Sequence, residues 1–288
     1  MPRINPFNAA AFTFGIELET VIPDTSTIHV GPYHGGCPVT AAPTFRGMFW
    51  KAERDGSIQA PRGFRAAEFV SPVLQGEEGI EAVLAFVAWL KEQGARVNAS
   101  CGCHIHIGLD SVIGNASTTA RNAYMRKLAA VVNINAGAIY AQTGTRRDLN
   151  RYCRPLDENV RETLDRAVRD GCPVAYRTDR YRILNLTNVE SRGTVEFRAF
   201  AGTLNRSKIL HHIWTCLFLA GFAGELKRVP WNGQGWASMD GGEGEKALRG
   251  LWKKAGNHAL VGAIGERKRD MRRVALAMAR KFDARATA

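Results

Sequence analysis

The stretch that decides the reading of this chain is "TVEFRAF", Thr194–Phe200. It reads as a strand, because Val195, Phe197 and Ala199 fall on one face and Glu196 and Arg198 on the other. By the same alternation Phe200 follows on the second face, so that face is not plain solvent surface. One explanation of a carboxylate beside a guanidinium is a structural ion pair along the strand.

That explanation fails for a second stretch, "FGIELET" (Phe14–Thr20), where Ile16 and Leu18 oppose Glu17 and Glu19. Attachment points two residues apart on a strand are separated by about 6.6 Å. Two anions on one protected face repel, and burying them without a partner is costly. A cation must be close, or the face must be wet. A third stretch, "CHIHIGL" (Cys103–Leu109), sets His104 and His106 together with Ile105 and Ile107 opposite. "AAEFVSP" adds Glu68, and "ERDGSI" supplies Asp55 and Ser57 around a turn glycine.

If these polar faces line one concave surface, it holds Glu17, Glu19, Glu68, His104, His106, Glu196 and Arg198, with Asp55 at its edge. Carboxylates with imidazoles and no thiolate favour Mg²⁺ or Mn²⁺ over a closed zinc site. The set exceeds what one magnesium ion needs, but it suits two or three ions bridging a polyphosphate. "CGCHIH" also admits a zinc reading, yet the pair is not spaced C-x₂-C and no second pair follows; small buried thiols are the expectation.

The chain has 288 residues, enough for one large domain or two small ones. No apolar run reaches the roughly 20 residues that span a bilayer, and the start lacks a signal-peptide pattern. A cytoplasmic location is therefore expected. The six cysteines form no disulfide framework. No G-x-G-x-x-G and no P-loop pattern is present, so any ATP is handled without them. The net charge is +12, and Glu243–Ala288 alone carries twelve Lys+Arg against five Asp+Glu. That charge permits nucleic acid as a partner, but a solvated helix face is the favoured reading.

Strands are expected at Phe12–Val21, Phe45–Trp50, Phe64–Ser71, His104–Leu109, Tyr181–Leu186 and Thr194–Ala201. Helices are expected at Glu77–Gln93, Ser117–Thr143, Asp157–Asp170 and Asn205–Arg228. Two more follow a Gly-rich break at Pro230–Glu245, the last with a stripe of Leu260, Ile264, Met271, Ala275, Met278 and Phe282. The order is not a βαβ repeat. It suits an α+β fold: a curved, largely antiparallel sheet forming a funnel-shaped site, helices packed outside, and C-terminal helices. The division expected is a catalytic domain over 1–230 and a basic helical appendage over 243–288, docked by its apolar stripe. His29–Gly36 reads as a mobile substrate loop and Thr143–Leu156, with four arginines, as a polar connection or a cover.

Six motifs in order carry a resemblance: Gly15-Ile16-Glu17-Leu18-Glu19, Asp55-Gly56-Ser57, Glu68-Phe69-Val70-Ser71-Pro72, Gly102-Cys103-His104-Ile105-His106, Arg180-Tyr181-Arg182-Ile183-Leu184-Asn185, and Thr194 to Arg198 followed by Gly202-Thr203-Leu204-Asn205. Over roughly residues 12–205 the chain resembles the amidoligase family, of the carboxylate–amine ligase group that includes glutamine synthetase and glutamate–cysteine ligase. The resemblance implies an ATP-dependent ligase that activates a carboxylate as an acyl phosphate for attack by an amine. It implies ATP and Mg²⁺ (or Mn²⁺) as cofactors, and an amino-acid, peptide or small-amine substrate. By that similarity Glu17, His104 and Glu196 would hold the metal on the β- and γ-phosphates. Glu19 and Glu68, with Asp55, would hold the metal between γ-phosphate and acceptor. His106 and Asn185 would lie toward the nucleotide, Arg198 would stabilise the γ-phosphoryl group, and Arg180 or Arg182 would assist. A metal-dependent phosphotransferase and a two-metal hydrolase or nuclease are the alternative enzyme classes.

Overall fold

The computed structural model describes residues 11–174, 178–231, 243–256 and 267–286. Its centre is a sheet of β1 (Thr13–Pro23), β2 (Cys37–Pro38), β3 (Lys51–Glu53), β4 (Phe64–Val70), β5 (Leu74–Gln75), β6 (Gly102–Gly108), β7 (Leu184–Asn185) and β8 (Thr194–Ala201). The order is β2-β3-β4-β1-β6-β8-β7, with β5 beside the start of β1. Every pairing between these strands is antiparallel. The α+β expectation is met: one sheet face is apolar and carries the helices, and the other collects the charged side chains.

The apolar side explains the helix positions. α1 (Gly76–Glu92) sets Phe86 flat on Trp50, with ring centroids 3.8 Å apart, and edge-on to Phe69 of β4. α7 (Arg206–Glu225), apolar nearly all round, is buried along its length, as that composition requires. Its start is fixed by Asn205, whose side chain accepts from the Lys208 N–H. α5 (Glu158–Asp170) is capped by Asp157 and ends on Gly171 in the left-handed region.

Four expectations need correction. The strand expected at Phe45–Trp50 is instead a tight two-residue turn. Phe45 and Met48 exchange both backbone bonds, and Arg46 and Gly47 take positive φ of 51° and 77°. The paired strand starts only at Lys51. The single helix expected over Ser117–Thr143 breaks at Asn135 into α3 (Thr118–Ile134) and α4 (Ala136–Ala141). The Asn135 side chain bonds back to the Val131 carbonyl and competes with the helical ladder. The strand expected over Tyr181–Leu186 shortens to β7. Phe200 leaves the polar face: β6 pairs Cys103 with Phe200 but Ile105 with Phe197, a bulge that gives β8 one extra residue. The parity flips, and Phe200 stacks on His212 of α7 at 4.1 Å.

The short elements α2 (Leu109–Ile113) and α6 (Val189–Arg192) flank the sheet, and α8 (Glu243–Ala255) and α9 (Lys268–Ala286) close the chain. Of the expected C-terminal stripe, Leu260 and Ile264 lie outside the described residues. Met271, Ala275, Met278 and Phe282 are buried, and Leu248, Leu251 and Trp252 of α8 join the same core. The Asp283 carboxylate caps α8 by accepting from the Gly244 and Glu245 N–H groups at 2.8 and 3.1 Å. Trp252 donates to His211 Nε2 (3.0 Å), whose Nδ1 meets Gln142. Much of the basic surface is engaged locally: Arg267 with Glu81, Arg280 and Arg249 with Glu245, Arg285 with the Gly144 carbonyl. No helix among the described residues is long and apolar enough to cross a membrane.

Because Phe282 is fully buried in the shared core, Phe282→Ala is expected to lower unfolding free energy by about 3–5 kcal/mol. Urea unfolding followed by far-ultraviolet circular dichroism measures it. A loss near zero would mean that α9 contributes nothing to the cooperative unit.

Candidate active site

Strand register builds the site. Across the charged face Glu17 stands opposite His104, and His106 opposite Glu196. Glu19 stands opposite Glu68, and Glu68 opposite Glu53. The sequence-expected residues Glu17, Glu19, Glu68, His104, His106, Glu196 and Arg198 therefore do converge, and Asp55 reaches them from the turn after β3. Asp55 is held by its own turn, accepting from the Ser57 N–H at 2.6 Å.

His104 is central. Its Nδ1 lies 3.2 Å from Glu17 and 3.5 Å from Glu196, and its Nε2 3.5 Å from Glu19. His106 Nε2 is 3.1 Å from the other Glu17 oxygen. Glu19 also accepts from the Gly102 N–H at 2.5 Å. A Cβ at Gly102 would come within 2.8 Å of His104 Nε2, so the glycine of G-x-H-x-H is required by close approach.

Potential ligand atoms converge to within 4.8 Å in three overlapping groups: Glu17, Glu68 and His104; Glu17, His106 and Glu196; Glu19, Asp55 and Glu68. The last group gathers Glu19, Asp55 and Glu68, the residues expected around one metal, and the second brings Glu17 and Glu196 together. The imidazole in the second group is His106, whereas the resemblance assigns His104 there; His104 is close to both carboxylates all the same. These oxygens and ring nitrogens could hold two or more divalent ions.

The supporting residues explain the arrangement. Asn185 and Asn188 donate to one Glu196 oxygen at 2.7 and 3.2 Å, and Arg198 pairs with the other. Asn185, expected toward a nucleotide, thus spends its amide on orienting Glu196. Arg198 Nε donates to the Tyr152 carbonyl (3.4 Å), and buried Arg147 donates to the carbonyls of Ala199 and Arg198. The segment expected as a polar connection or cover therefore buttresses β8. Arg180 lines the cleft, but Arg182 turns away to Asp157 (2.7 Å), Asp179 and the Pro155 carbonyl.

A cleft of about 320 Å³ opens over these groups, walled also by Tyr33, His34, Glu53 and Arg192. Beside it lies a cavity of about 380 Å³ with apolar walls from Phe14, Ile16, Val70, Pro72 and Val73; the two share Glu17 and Arg192. Glu53, Asn188 and Arg192 went unread in the sequence. Glu53 alternates with Asp55 in "ERD", a weak signal that only strand pairing turns into a position. Within the His29–Gly36 segment, expected to be mobile, Gly31 donates to the Ala52 carbonyl and accepts from the Arg54 N–H; just before it, Arg65 donates to carbonyls of Asp24, Ser26 and Ile28. Cys101 and Cys103 are buried free thiols, and burial pushes the Cys103 thiol far up, which fits packing rather than ligation.

Electrostatics follow from the crowding. Burial, then Glu17, Glu19, Asp55 and Glu53, push the Glu68 carboxyl up to about 10. Burial also opposes ionisation of Glu17, but His106 and hydrogen bonds from both histidines hold its carboxyl well below the usual range. Glu196 is likewise lowered: burial raises it, but His106, His104 and Arg198 outweigh that rise. His106 stays protonated to higher pH despite burial, because Glu17 and Glu196 face it. The cation-free site therefore keeps a proton on Glu68 at neutral pH. A raised folded value contributes stability that is full below the unfolded value and lost as pH rises toward about 10.

A cation bound there would replace that proton, so its binding would strengthen with pH. Mn²⁺ is expected to raise the melting temperature more at pH 8 than at pH 6, and Glu68→Gln to flatten that difference. Differential scanning fluorimetry at both pH values tests it; equal shifts in the wild type would exclude proton displacement.

Three solved structures are similar to this fold. A novel glutamine synthase homolog shares 13% identity at a TM-score of 0.47, covering 99% of this chain and 68% of that one. A bifunctional glutathione synthetase from Pasteurella multocida shares 11% at 0.46, covering 99% and 54%, so this chain spans about half its length. GmaS without ligand shares 14% at 0.45, covering 98% and 71%. Among curated proteins no relative was found. Residues 11–220 match the family described as "Putative amidoligase enzyme", and with that match over most of its length the chain belongs to the amidoligase family.

Proposed function

We propose that this chain is an ATP-dependent carboxylate–amine ligase. The observation that carries the reading is the overlap of three metal-capable groups on one buried sheet face, beside Arg198, in a member of the amidoligase family. Both reactants of such a ligation are anions. At 4 Å two unit charges repel by about 4 kcal/mol at an effective dielectric of about 20. Divalent ions held by Glu17, Glu19, Asp55, Glu68, His104, His106 and Glu196 would offset that charge and polarise the γ-phosphoryl group.

In this reading the triphosphate lies along the carboxylate cleft, with the base in the adjoining apolar cavity, whose walls suit a flat ring system. Arg198 is fixed by Glu196 and the Tyr152 carbonyl, so its guanidinium is preorganised where charge develops on the transferring group. A substrate carboxylate oxygen attacks the γ-phosphorus and the bond to ADP breaks, giving an acyl phosphate. The amine nitrogen then attacks the acyl carbon, the carbon–oxygen bond to phosphate breaks, and the amine proton leaves with phosphate. Burial of the site limits competing hydrolysis.

The test is incubation with ATP, Mg²⁺ and a panel of carboxylates and amines, reading ADP and phosphate release and identifying products by mass spectrometry. An amide is expected; a phosphate ester would indicate a phosphotransferase instead, and ATP-independent phosphodiester cleavage a hydrolase. Glu17→Gln is expected to lower turnover by about 10² or more while the circular dichroism spectrum is kept. Near-normal turnover at saturating Mg²⁺ would remove Glu17 from the metal set. Arg198→Lys keeps the charge but loses the fork, so specific activity should collapse as well. If the variant only melts lower, Arg198 serves the fold through Glu196.

A further inference from the structure

One carboxylate on this face belongs to none of the three metal-capable groups. Glu53 ends β3, faces the same side as Glu68 and is 7% exposed. Among the described residues its carboxylate accepts no hydrogen bond. Its nearest basic atom is His34 Nδ1 at 3.9 Å, on a side chain half open to solvent. Gly36 closes off one side, since a Cβ there would stand 3.3 Å from Glu53 Oε2. What remains open to Glu53 is the cleft that it lines. A buried carboxylate whose one basic neighbour is this long contact to an exposed imidazole is poorly compensated, so its position points to a cation that arrives with a ligand.

The same wall ends in a guanidinium. Arg180 donates to the Tyr33 hydroxyl at 3.4 Å and lines the cleft, and the Tyr33 and His34 rings lie 3.7 Å apart. The Tyr33–His34 pair therefore stands between the Glu53 carboxylate and a partly exposed guanidinium. The backbone just before the pair is joined to β3, where the Gly31 N–H donates to the Ala52 carbonyl.

We infer that Glu53 and Arg180 are the two poles of the amine-substrate site: Glu53 takes the ammonium group, Arg180 the carboxylate, and the amine substrate is an amino acid rather than ammonia or a simple amine. The inference rests on the ligase reading. An ammonium group carries three donors, and one full carboxylate beside an aromatic face satisfies it better than a lone carboxylate satisfies Mg²⁺, which seeks octahedral oxygen ligands. The planar fork of arginine matches a carboxylate in the same way.

Calorimetric titration tests it, using protein saturated with Mg²⁺ and a non-hydrolysable ATP analogue. Each of the common amino acids is titrated singly. For any that binds, the decarboxylated amine and the deaminated acid follow. Each truncated compound is expected to bind about tenfold more weakly or worse, the loss of one charge-assisted contact. Glu53→Gln should weaken the amino acid by a similar factor and leave Mg²⁺ and nucleotide titrations unchanged. The site is overturned if no amino acid binds, if truncated compounds bind equally, or if Glu53→Gln abolishes Mg²⁺ binding. The comparison of compounds on wild-type protein stands even if the variant does not fold. ADP release by the same protein, supplied with ATP and Mg²⁺ in place of the analogue, separates the two readings. Binding without any turnover overturns the ligase and leaves the site. Turnover with ammonium as efficient as with any amino acid overturns the site and leaves the ligase.

Discussion

The constraint on which the rest depends is a row of like charges set side by side by strand pairing. Glu53, Glu68 and Glu19 face one another across three neighbouring strands, and Glu17 stands two residues from Glu19. Directly paired side chains on a sheet sit about 5 Å apart. At that distance two carboxylates repel by about 3 kcal/mol at an effective dielectric of about 20. The protein answers in part with a proton on Glu68 and with imidazoles wedged between Glu17, Glu19 and Glu196. Those measures are partial, and the charge that remains on Glu17, Glu19 and Glu196 is what a bound cation would offset.

Everything behind this face serves to hold the row in place. The apolar residues that alternate with the glutamates and histidines are fully buried under α1 and α7. A one-residue slip of any strand would exchange core for site, so the hydrophobic burial that folds the sheet also fixes the ligand geometry. At β8 the sheet needs an additional device. The bulge lets Glu196 and Arg198 face the site while Phe200, two positions later, reaches the helices. Asn185, Asn188 and Arg147 then hold that strand's carboxylate and backbone from the other side.

Period-two alternation made the chemistry legible. Glu17, Glu19, His104, His106, Glu196 and Arg198 share one face in the structure as they do in the pattern, because a strand has only two faces. Helix starts were legible for a similarly local reason: the helices expected from Ser117, Asp157 and Asn205 do start there, and each of these side chains accepts from a backbone N–H of the first turn. What was not legible depends on partners distant in the chain. Glu53 gains its meaning from standing opposite Glu68. Phe200 gains its from a mismatch with Cys103 that no window around it contains. The break at Asn135 escaped because both halves of the helix are apolar, and only the turned-back amide separates them.

The C-terminal helices show how charge composition and packing can point in different directions. Their basic excess suggests a surface for an acidic partner, yet Arg249, Arg267, Arg280 and Arg285 are already engaged with groups of this chain. The apolar residues on the opposite side enter the common core, and the Asp283 cap ties the two helices to each other. This packing meets the short, buried α4 and the long, buried α7, and α4 leads directly into the segment whose Arg147 and Tyr152 support β8. The basic helices thus stand at the far end of a continuous packed path to Arg198. The strand that holds Glu196 and its arginine takes part of its support from the segment after α4, so the seating of the basic helices and the placing of that arginine share one packed connection.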